Sequence, residues 1–332
     1  PLGLVGMAEI DVRKNPPHCE PIPILHAGDR IGKPYIKCDP SKIVAIVPCD
    51  MPDVTRALAP LDDDAEAMGN NLVEFLTNEV KHGRLPENLL PLQSGVGNVA
   101  NAVIHGLVES RFKNLSVYTE VIQDGMFELI DKAKIDMISG TSLSPSPEGL
   151  KRFYDNIEKY NKKIVLRPQE ISNNGEVVRR IGVIGMNTAL EMDIYGHVNS
   201  THVTGTKLMN GIGGSGDFAR NAFLSCFFCP RPAKGGKISA VVPMCSHVDH
   251  TEHDTHVFIS EQGVADVRGL GPKERAKVII NNVAHPSYRD QLMDYYERAV
   301  AACGHSQTPH ILPEAFKFHE SLAETGDMHF KK

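Results

Sequence analysis

Short apolar runs alternate with amphipathic stretches along the middle of the chain, from about residue 62 to residue 166. Continuous apolar runs are typical of strands buried on both faces, and apolar residues at helical spacing lie between them. The pattern predicts a first helix from Asp62 to about His82, then strands at Leu89–Leu92, Leu115–Tyr118, Met137–Ser139 and Ile164–Leu166 and helices at Val96–Ser110, Met126–Ala133 and Pro147–Tyr160. Such alternation predicts an α/β fold with an open, mostly parallel sheet covered by helices.

The two ends of the chain follow different patterns. Residues 1–41 are rich in proline, with Pro16, Pro17, Pro21 and Pro23, and are predicted to be either a connection that wraps the surface or the tail of a preceding part of the protein. The β-branched run Ile43–Val47 predicts a buried parallel strand, and a connection follows from Pro48 to Pro60. After Asn173 the pattern predicts shorter strands at Val183–Asn187, Leu190–Ile194, His197–Val203, Ile238–Met244 and His256–Ser260, and helices at Asp217–Ser225, Pro272–Asn281, His285–Ala302 and Pro313–Thr325.

One carboxylate falls where sheets of this kind place their sites. The strand Leu115–Tyr118 leads directly into Thr119 and Glu120, and parallel α/β sheets bind ligands at the carboxyl ends of their strands. Upstream, Gly95-Val-Gly-Asn-Val-Ala fits G-x-G-x-x-A between a predicted strand and helix, and Glu120 lies 23 residues past Gly97. Glu120 could therefore hold a ribose hydroxyl of a dinucleotide, act as a base, or attack a substrate as a nucleophile. A purely structural turn is the plain alternative for the glycine loop.

A second glycine loop, Asn210-Gly-Ile-Gly-Gly-Ser-Gly, also precedes a predicted helix, with Ser215 as a candidate N-cap. Four glycines in six residues are costly in chain entropy, which favours a functional loop over a plain turn. A dinucleotide fold needs only one such loop. Two loops and a strand-end carboxylate fit better with a site that holds an oxyanion between two backbone N–H groups.

A histidine-rich stretch offers a metal site as an alternative. His247, His250, His253 and His256 lie at steps of three with acids among them, and histidine and carboxylate groups suit zinc. The stretch joins two apolar runs, however, so it is not expected to form a helix. A hydrogen-bonded polar loop is the preferred interpretation, and no metal is predicted.

Three further features have both a chemical and a structural interpretation. Cys226 and Cys229 have the spacing of a redox motif, but they are predicted to be buried structural cysteines at the end of a helix. Glu170 follows another predicted strand and is a rival catalytic carboxylate. Lys234 lies in a Pro/Gly-rich loop and is either solvated or a phosphate contact.

Composition narrows the classes of function. The 332 residues carry a formal net charge of −6, so there is no basic footprint for nucleic acid or an anionic membrane. No apolar run approaches the length of a membrane span. Seven cysteines, mostly in apolar runs, are typical of reduced thiols, which predicts a cytoplasmic protein or, in a eukaryote, a mitochondrial one.

Five stretches together resemble the acetyl-CoA hydrolase/transferase family of class I CoA-transferases, which includes succinyl-CoA:acetate CoA-transferases. They are SGVGNVANAV from Ser94, YTEVIQDG from Tyr118, EISNN from Glu170, STHVTGTKLMNGIGGSGDFARNA from Ser200 and SEQGVADVRG from Ser260. The resemblance implies two open α/β domains of the NagB/RpiA type that face each other, usually in a homodimer. Family members are longer at the N-terminus. Residues 1–57 are therefore expected to be the end of a first domain plus a linker, and residues 58–332 the C-terminal catalytic domain.

The resemblance also implies roles for individual residues. The glutamate that matches Glu120 is the family's nucleophile. The N–H groups of Val96 and Gly214 correspond to an oxyanion hole, and Asn173 and Glu261 to residues that hold or orient the acyl group and the nucleophile. Contacts with coenzyme A are implied at Gly95, Val96, Gly97, Asn98, Val99, Asn210, Gly214 and Lys234.

The implied activity is an acyl-CoA:carboxylate CoA-transferase, with acyl-CoA and small carboxylates such as acetate or succinate as substrates and no tightly bound cofactor. Acetyl-CoA hydrolysis on the same site is the alternative, and a NAD-dependent oxidoreductase is more remote. Transfer is favoured, because apolar residues around Glu120 would exclude water from a reactive intermediate. The sequence also marks no base to position water beyond Glu261 and Glu170, each of which has another role.

Overall fold

The computed structural model describes residues 20–51, 53–55, 57 and 61–330. Its strands are β1 Leu92–Ser94, β2 Leu115–Tyr118, β3 Val121–Ile122, β4 Ile135–Gly140, β5 Ser142–Leu143, β6 Ile164–Leu166, β7 Ile184–Thr188, β8 Glu191–Asp193, β9 Val198–Asn199, β10 His202–Val203, β11 Lys207–Leu208, β12 Leu224–Phe228, β13 Val241–Val242, β14 Val257–Ser260 and β15 Gly263–Asp266. The main sheet has eight strands in the order β15-β14-β12-β7-β1-β2-β4-β6. Every neighbouring pair is parallel except β14 with β15. The predicted open, mostly parallel sheet is confirmed.

Helices connect these strands and cover both faces of the sheet. They are α1 Asp63–Lys81, α2 Asn98–Glu109, α3 Asp124–Asp131, α4 Pro147–Asp155, α5 Ile157–Asn161, α6 Gln169–Ser172, α7 Gly175–Ile181, α8 Ser215–Asn221, the irregular turn α9 Ala233–Gly236, α10 Pro272–Asn282, α11 Pro286–Ala302 and α12 Lys317–Thr325, with 3₁₀ turns at Pro40–Lys42 and Leu312–Glu314. Helices α1 to α3 bury their apolar stripes against one face of the sheet. Side chains alternate along a strand, so Phe227 and Phe258 point to the other face, where α10 to α12 pack.

The N-terminal part of the described chain packs against the end of the sheet that carries β2 and β4. Ile22, Ile24 and Ala27 are buried with Tyr118 and with residues of α6 to α8. The guanidinium of Arg167, itself buried, donates to the Ala27 carbonyl at 2.7 Å and to Ser139 Oγ at 2.6 Å. This part of the predicted surface wrap is therefore anchored. Pro16 and Pro17 of the same prediction, and Pro60 at the end of the next connection, lie outside the described residues.

The prediction of a buried strand at Ile43–Val47 is wrong. These residues form no strand in the structure, and their apolar side chains are exposed, from 53% for Ile43 to 98% for Val44. A β-branched run favours extended backbone, but it becomes a strand only where a partner offers its hydrogen bonds. The described residues provide no such partner beside this run.

Other predicted bounds were wrong where local backbone geometry overrides the pattern. Leu89 has φ +58°, which a strand does not contain, and β1 therefore begins at Leu92 instead of Leu89. The helix predicted at Asp217–Ser225 ends at Asn221, because Ala222 is extended and the following residues form β12 between β7 and β14. Cys226 consequently lies inside a central strand and not in a helix, and burial raises the pKa of its thiol to about 12.

The structure also has shorter and more numerous elements than the sequence predicted. The strands expected at His197–Val203 and Ile238–Met244 are shorter in the structure and form the two-residue strands β9, β10 and β13. Each of them pairs over two residues only, β9 and β13 with β8 and β10 with β11. The single helix expected at Pro147–Tyr160 is broken at Asn156 into α4 and α5. The helices α6 and α7 were not predicted.

A buried carboxylate, Glu79 of α1, forms ion pairs with Arg84 and with Arg268, which follows β15. Glu79 accepts from the Arg84 guanidinium at 3.0 and 2.6 Å and from Arg268 Nη1 at 2.9 Å. Burial alone would raise the pKa of Glu79, but these two arginines outweigh it and lower that pKa to about 2.

Among the described helices, none combines the length and the apolar character that crossing a lipid bilayer requires.

Candidate active site

The first glycine loop leaves the carboxyl end of β1, in the centre of the sheet. The Gly95 N–H donates to the Met186 carbonyl of β7 at 2.9 Å, and the chain then turns through Gly97, whose φ of +109° favours glycine. The Gly97 N–H donates to the buried side chain of Gln123 at 3.1 Å. Helix α2 begins at Asn98, so the loop is a tight strand-to-helix turn, held on both sides.

Glu120 is delivered to this loop by the residue that precedes it. Thr119 is fully buried, and its hydroxyl donates to the Ser94 carbonyl at 3.0 Å and accepts from the Ser94 N–H at 3.4 Å. On the other side, the Glu120 carbonyl accepts from the Thr141 N–H at 2.7 Å. The end of β2 is thus fastened to the ends of β1 and β4, and the Glu120 side chain stands at the carboxyl edge of the sheet.

The second glycine loop brings Gly214 against the Glu120 carboxylate. A Cβ atom added to Gly214 would overlap Glu120 Oε2 and would lie 2.6 Å from Asn173 Nδ2. Side chains do not approach a Cβ that closely, so only glycine leaves room for the carboxylate here. Gly214 has φ −80°, which any residue adopts. The requirement at this position is therefore space and not backbone freedom.

Asn173 lies between α6 and α7 and directs its amide into the same place. Its Nδ2 group donates to Glu120 Oε2 and to Asp217 Oδ2, each at 3.2 Å. Its Oδ1 atom is buried and has no hydrogen-bond partner among the described residues. Asn174, in contrast, caps α7 by accepting from the Glu176 N–H. Asp217, in the first turn of α8, was not among the predicted site residues; its only signal was its position in the second glycine motif.

The two loops enclose a cleft of about 430 Å³. Glu120 and both glycine loops line it, and its floor is a reciprocal pair of buried amides, Gln93 and Asn187, at 3.1 and 3.2 Å. The predicted site residues that line the cleft are Gly95, Val96, Val99, Glu120, Asn210 and Gly214. The backbone N–H groups of Val96 and Gly214 have no partner among the described residues. The cleft is therefore lined by one carboxylate, by two residues whose N–H groups have no such partner, and by apolar side chains.

Two predicted site residues lie elsewhere. Lys234 is exposed on the irregular turn α9, at φ +50°. Glu261 follows β14 and lines a small separate cleft with Cys229 and His285, where its Oε2 atom is buried without a partner among the described residues. Neither residue lines the cleft around Glu120. The rival carboxylate Glu170 is exposed on α6.

The histidine stretch is a folded polar segment. Among the described residues, no group of three or more His, Cys, Asp or Glu side chains is placed to hold a metal ion. The four side chains point to different partners: His247 pairs with Asp249, His253 lies beside Glu252, and His256 accepts from the Ser225 N–H. His250 is buried behind the second glycine loop.

Comparisons with known proteins find similarity to one family. The family model of the acetyl-CoA hydrolase/transferase C-terminal domain matches residues 149–296, a range that includes Asn173, the second glycine loop and Glu261. Succinyl-CoA:acetate CoA-transferase of Clostridium kluyveri is 59% identical over 328 residues, which are 99% of this chain and 61% of that protein. Acetyl-CoA hydrolase of Yarrowia lipolytica is 49% identical, over 98% of this chain and 64% of that protein. The chain spans about three fifths of the length of these curated relatives.

Solved structures support the fold at lower identity. RipA from Yersinia pestis aligns with a TM-score of 0.63 at 24% identity, over 75% of this chain and 56% of that one. A 4-hydroxybutyrate CoA-transferase from Porphyromonas gingivalis aligns with a TM-score of 0.58 at 24% identity, over 73% of this chain and 57% of that one. At this identity the likeness concerns the fold alone.

Proposed function

This chain belongs to the acetyl-CoA hydrolase/transferase family, and from that premise we propose that it carries the nucleophile of an acyl-CoA:carboxylate CoA-transferase. The observation that carries the proposal is the packing of the Glu120 carboxylate against Gly214 and the Asn173 amide, between two loops with open N–H groups. A carboxylate that only stabilises the fold needs no free donors beside it, whereas a nucleophile whose reaction passes through a tetrahedral intermediate needs donors to the oxyanion. The absence of a Cβ atom at Gly214 lets the carboxylate stand against the loop that would supply one of these donors.

The proposed reaction is ping-pong covalent catalysis. Glu120 attacks the thioester carbonyl of acyl-CoA, the C–S bond breaks, and an acyl-glutamyl anhydride and CoA thiolate result. The thiolate attacks the glutamyl carbonyl, releases the first carboxylate and leaves a glutamyl-CoA thioester. An incoming carboxylate then repeats these steps in reverse order, so that a new acyl-CoA leaves and Glu120 is free again. No net proton is transferred, which agrees with a cleft that offers donors and one carboxylate.

The roles of the surrounding groups follow from the charge that develops. Each tetrahedral intermediate carries an oxyanion, and the N–H groups of Val96 and Gly214 are the proposed donors to it. The Asn173 amide holds the Glu120 carboxylate toward them. The apolar side chains of Val96 and Val99 lower the local polarity, which strengthens these hydrogen bonds. Gly97, Asn98 and Asn210 remain proposed contacts of coenzyme A, and Lys234 and Glu261 would need to approach the cleft to play their proposed parts.

We propose transfer over hydrolysis, with acetate and succinate as candidate carboxylates. The relative named a succinyl-CoA:acetate CoA-transferase is more similar to this chain than the relative named an acetyl-CoA hydrolase. The described residues that line the cleft also include no second carboxylate or histidine beside Glu120 to position water. Hydrolysis on the same site is the second candidate, favoured by the partial exposure of Glu120.

The exposed run at Ile43–Val47 supports the proposed domain division. Apolar β-branched side chains at this exposure are costly in water. We therefore keep residues 1–57 as the end of a first domain plus a linker, and residues 58–332 as the catalytic domain. A homodimer is the proposed assembly.

The decisive experiment is to trap the covalent intermediate in the full-length protein. Incubation with acyl-CoA followed by borohydride should change the mass of the peptide that contains Glu120, and the Glu120→Gln variant should show neither the change nor turnover. An unmodified peptide in an enzyme that still transfers CoA would refute the assignment.

Acetate should accelerate consumption of succinyl-CoA at least tenfold over water alone, or roughly 1.4 kcal/mol in barrier. Equal rates would instead support the hydrolase, and calorimetric binding of NAD without CoA would support the dinucleotide alternative.

A further inference from the structure

His250 is fixed to the main body of the protein and faces the back of the second glycine loop. Only 2% of its surface is exposed. Its backbone forms hydrogen bonds in both directions with Val198, at 3.0 and 2.8 Å, and its ring packs against Phe227 of β12 with 4.9 Å between the ring centroids. The imidazole is therefore held by a central strand of the sheet and by a neighbouring strand.

The imidazole contacts one end of the loop that carries Gly214 directly and reaches its other end through Ser200. Its Nε2 atom lies 3.2 Å from Ser215 Oγ, directly after Gly214, and 3.5 Å from Ser200 Oγ. The Ser200 carbonyl oxygen in turn accepts from the side-chain amide of Asn210, the first residue of the loop, at 3.5 Å. The exposed middle of the loop has no comparable support, because added Cβ atoms at Gly211 and Gly213 would meet nothing within 4 Å.

The hydrogen-bond network indicates the direction of the contact. The Ser215 hydroxyl donates to the Ile212 carbonyl at 2.8 Å, so its oxygen is free to accept from an N–H on His250 Nε2. Burial lowers the pKa of His250, which favours the neutral ring with one proton. Placing that proton on Nε2 satisfies both groups.

We propose that His250, acting through Ser215, is a positioning residue that sets the Gly214 N–H opposite the Glu120 carboxylate. This inference rests on the proposed function, because it assigns Gly214 as an oxyanion donor. A loop of four glycines has many backbone states of similar energy, and a donor that must meet a developing oxyanion at 2.7–3.1 Å needs one of them. The bond from His250 selects that state without touching the substrate.

The test uses steady-state kinetics of the full-length protein with six variants: His250→Ala, His250→Gln, Ser215→Ala, the double variant of His250→Ala with Ser215→Ala, Glu120→Gln and the control His253→Gln. His253 belongs to the same stretch, but its side chain is 75% exposed. We expect His250→Ala and Ser215→Ala each to lower kcat about 10- to 100-fold, which is less than the loss of a whole oxyanion donor. The KM for acyl-CoA should stay within about threefold, because the binding contacts remain.

Two comparisons separate positioning from a purely structural role. Glutamine can place an N–H group where His250 Nε2 stands, so His250→Gln should recover most of kcat, and the double variant of His250 and Ser215 should be no slower than either single variant. A kcat within threefold of wild type in Ser215→Ala and His250→Ala overturns the inference. So does a loss that appears equally in KM and that His250→Gln does not rescue. Should His250→Ala fail to fold, Ser215→Ala decides alone. Turnover in Glu120→Gln would refute the proposed function itself, and with it this inference.

Discussion

The change from Gly214 to alanine tests the site with a single carbon atom. Because Gly214 has φ −80° and ψ −1°, alanine fits its backbone, and the fold has no reason to reject it. The added Cβ instead occupies the space of Glu120 Oε2 and lies 2.6 Å from Asn173 Nδ2. The perturbation therefore falls on the proposed nucleophile, Glu120, and on the Asn173 amide that donates to it.

The expected magnitude follows from the displacement. An ordinary contact of a Cβ atom begins at about 3.4 Å, so the Asn173 amide must retreat from 2.6 Å by about 0.8 Å, and the carboxylate oxygen must move further. The Glu120 carboxylate is the far end of a flexible side chain and can move at little cost in stability. A misplacement of about 1 Å in a reacting group costs on the order of 100-fold in rate, or about 2.7 kcal/mol in barrier.

Gly211→Ala is the matched control, since a Cβ there meets nothing within 4 Å and its φ is not in the left-handed region. CoA transfer by the full-length protein should fall about 100-fold in kcat for Gly214→Ala and less than threefold for Gly211→Ala, with thermal midpoints of both variants within a few degrees of wild type. The reasoning is wrong if the two variants transfer CoA at similar rates, because the carboxylate would then not be needed where the structure places it.

Two further predictions concern charged groups. Asp217→Asn should lower kcat about tenfold, or roughly 1.4 kcal/mol in barrier, because the Asn173 amide loses the charged acceptor that fixes its orientation. The control Glu170→Gln, on an exposed side chain, should leave kcat unchanged. Equal losses of kcat in the two variants would argue against this role of Asp217. Glu79→Gln should destabilise the fold by about 3 kcal/mol near neutral pH, because the pKa of Glu79 falls from an ordinary 4.5 to about 2. A carboxyl group whose pKa is lower in the folded state stabilises the protein at pH values above its pKa in the unfolded state. This stabilisation is lost as pH falls toward the pKa of the folded state. The difference in free energy of unfolding between wild type and Glu79→Gln, measured by urea denaturation, should therefore narrow as pH falls from 4.5 to 2. Glu87→Gln changes an exposed side chain and should show no such difference.

The fold could be predicted where a local pattern and its partners agree. The strands β2 and β6 were placed correctly, because each is a mostly apolar segment with parallel neighbours, two for β2 and one for β6 at the edge of the sheet. Ile43–Val47 has an equally strong pattern, yet it is exposed. The difference is not in the local sequence but in whether a neighbouring strand is present, which periodicity does not report.

The site could be predicted where it depends on glycines and on the end of a strand. Both glycine loops and Glu120 were found in this way, and the structure places them around one cleft. Asp217 and the position of His250 could not be found, because their contacts join residues 44 and 35 positions apart in the chain. Side-chain hydrogen bonds over such separations depend on how α6, α8 and the histidine stretch pack, and no short motif encodes that packing.

The choice between transfer and hydrolysis depends on access of water to the intermediate. The residues that position Glu120 and the residues that control access of water lie in different parts of the cleft. The groups that position Glu120 are buried or nearly so: Thr119, Asn173 and Gly214. The groups at the mouth of the cleft are not, since 63% of Val96 and 45% of Ile212 are exposed. A glutamyl thioester would form equally well in a transferase or a hydrolase, because the buried groups are those that form it. Its lifetime against water depends on what covers the apolar mouth. Relatives named for each activity could therefore share the proposed nucleophile, and we expect the feature that distinguishes the two activities around Val96 and Ile212 and not at Glu120.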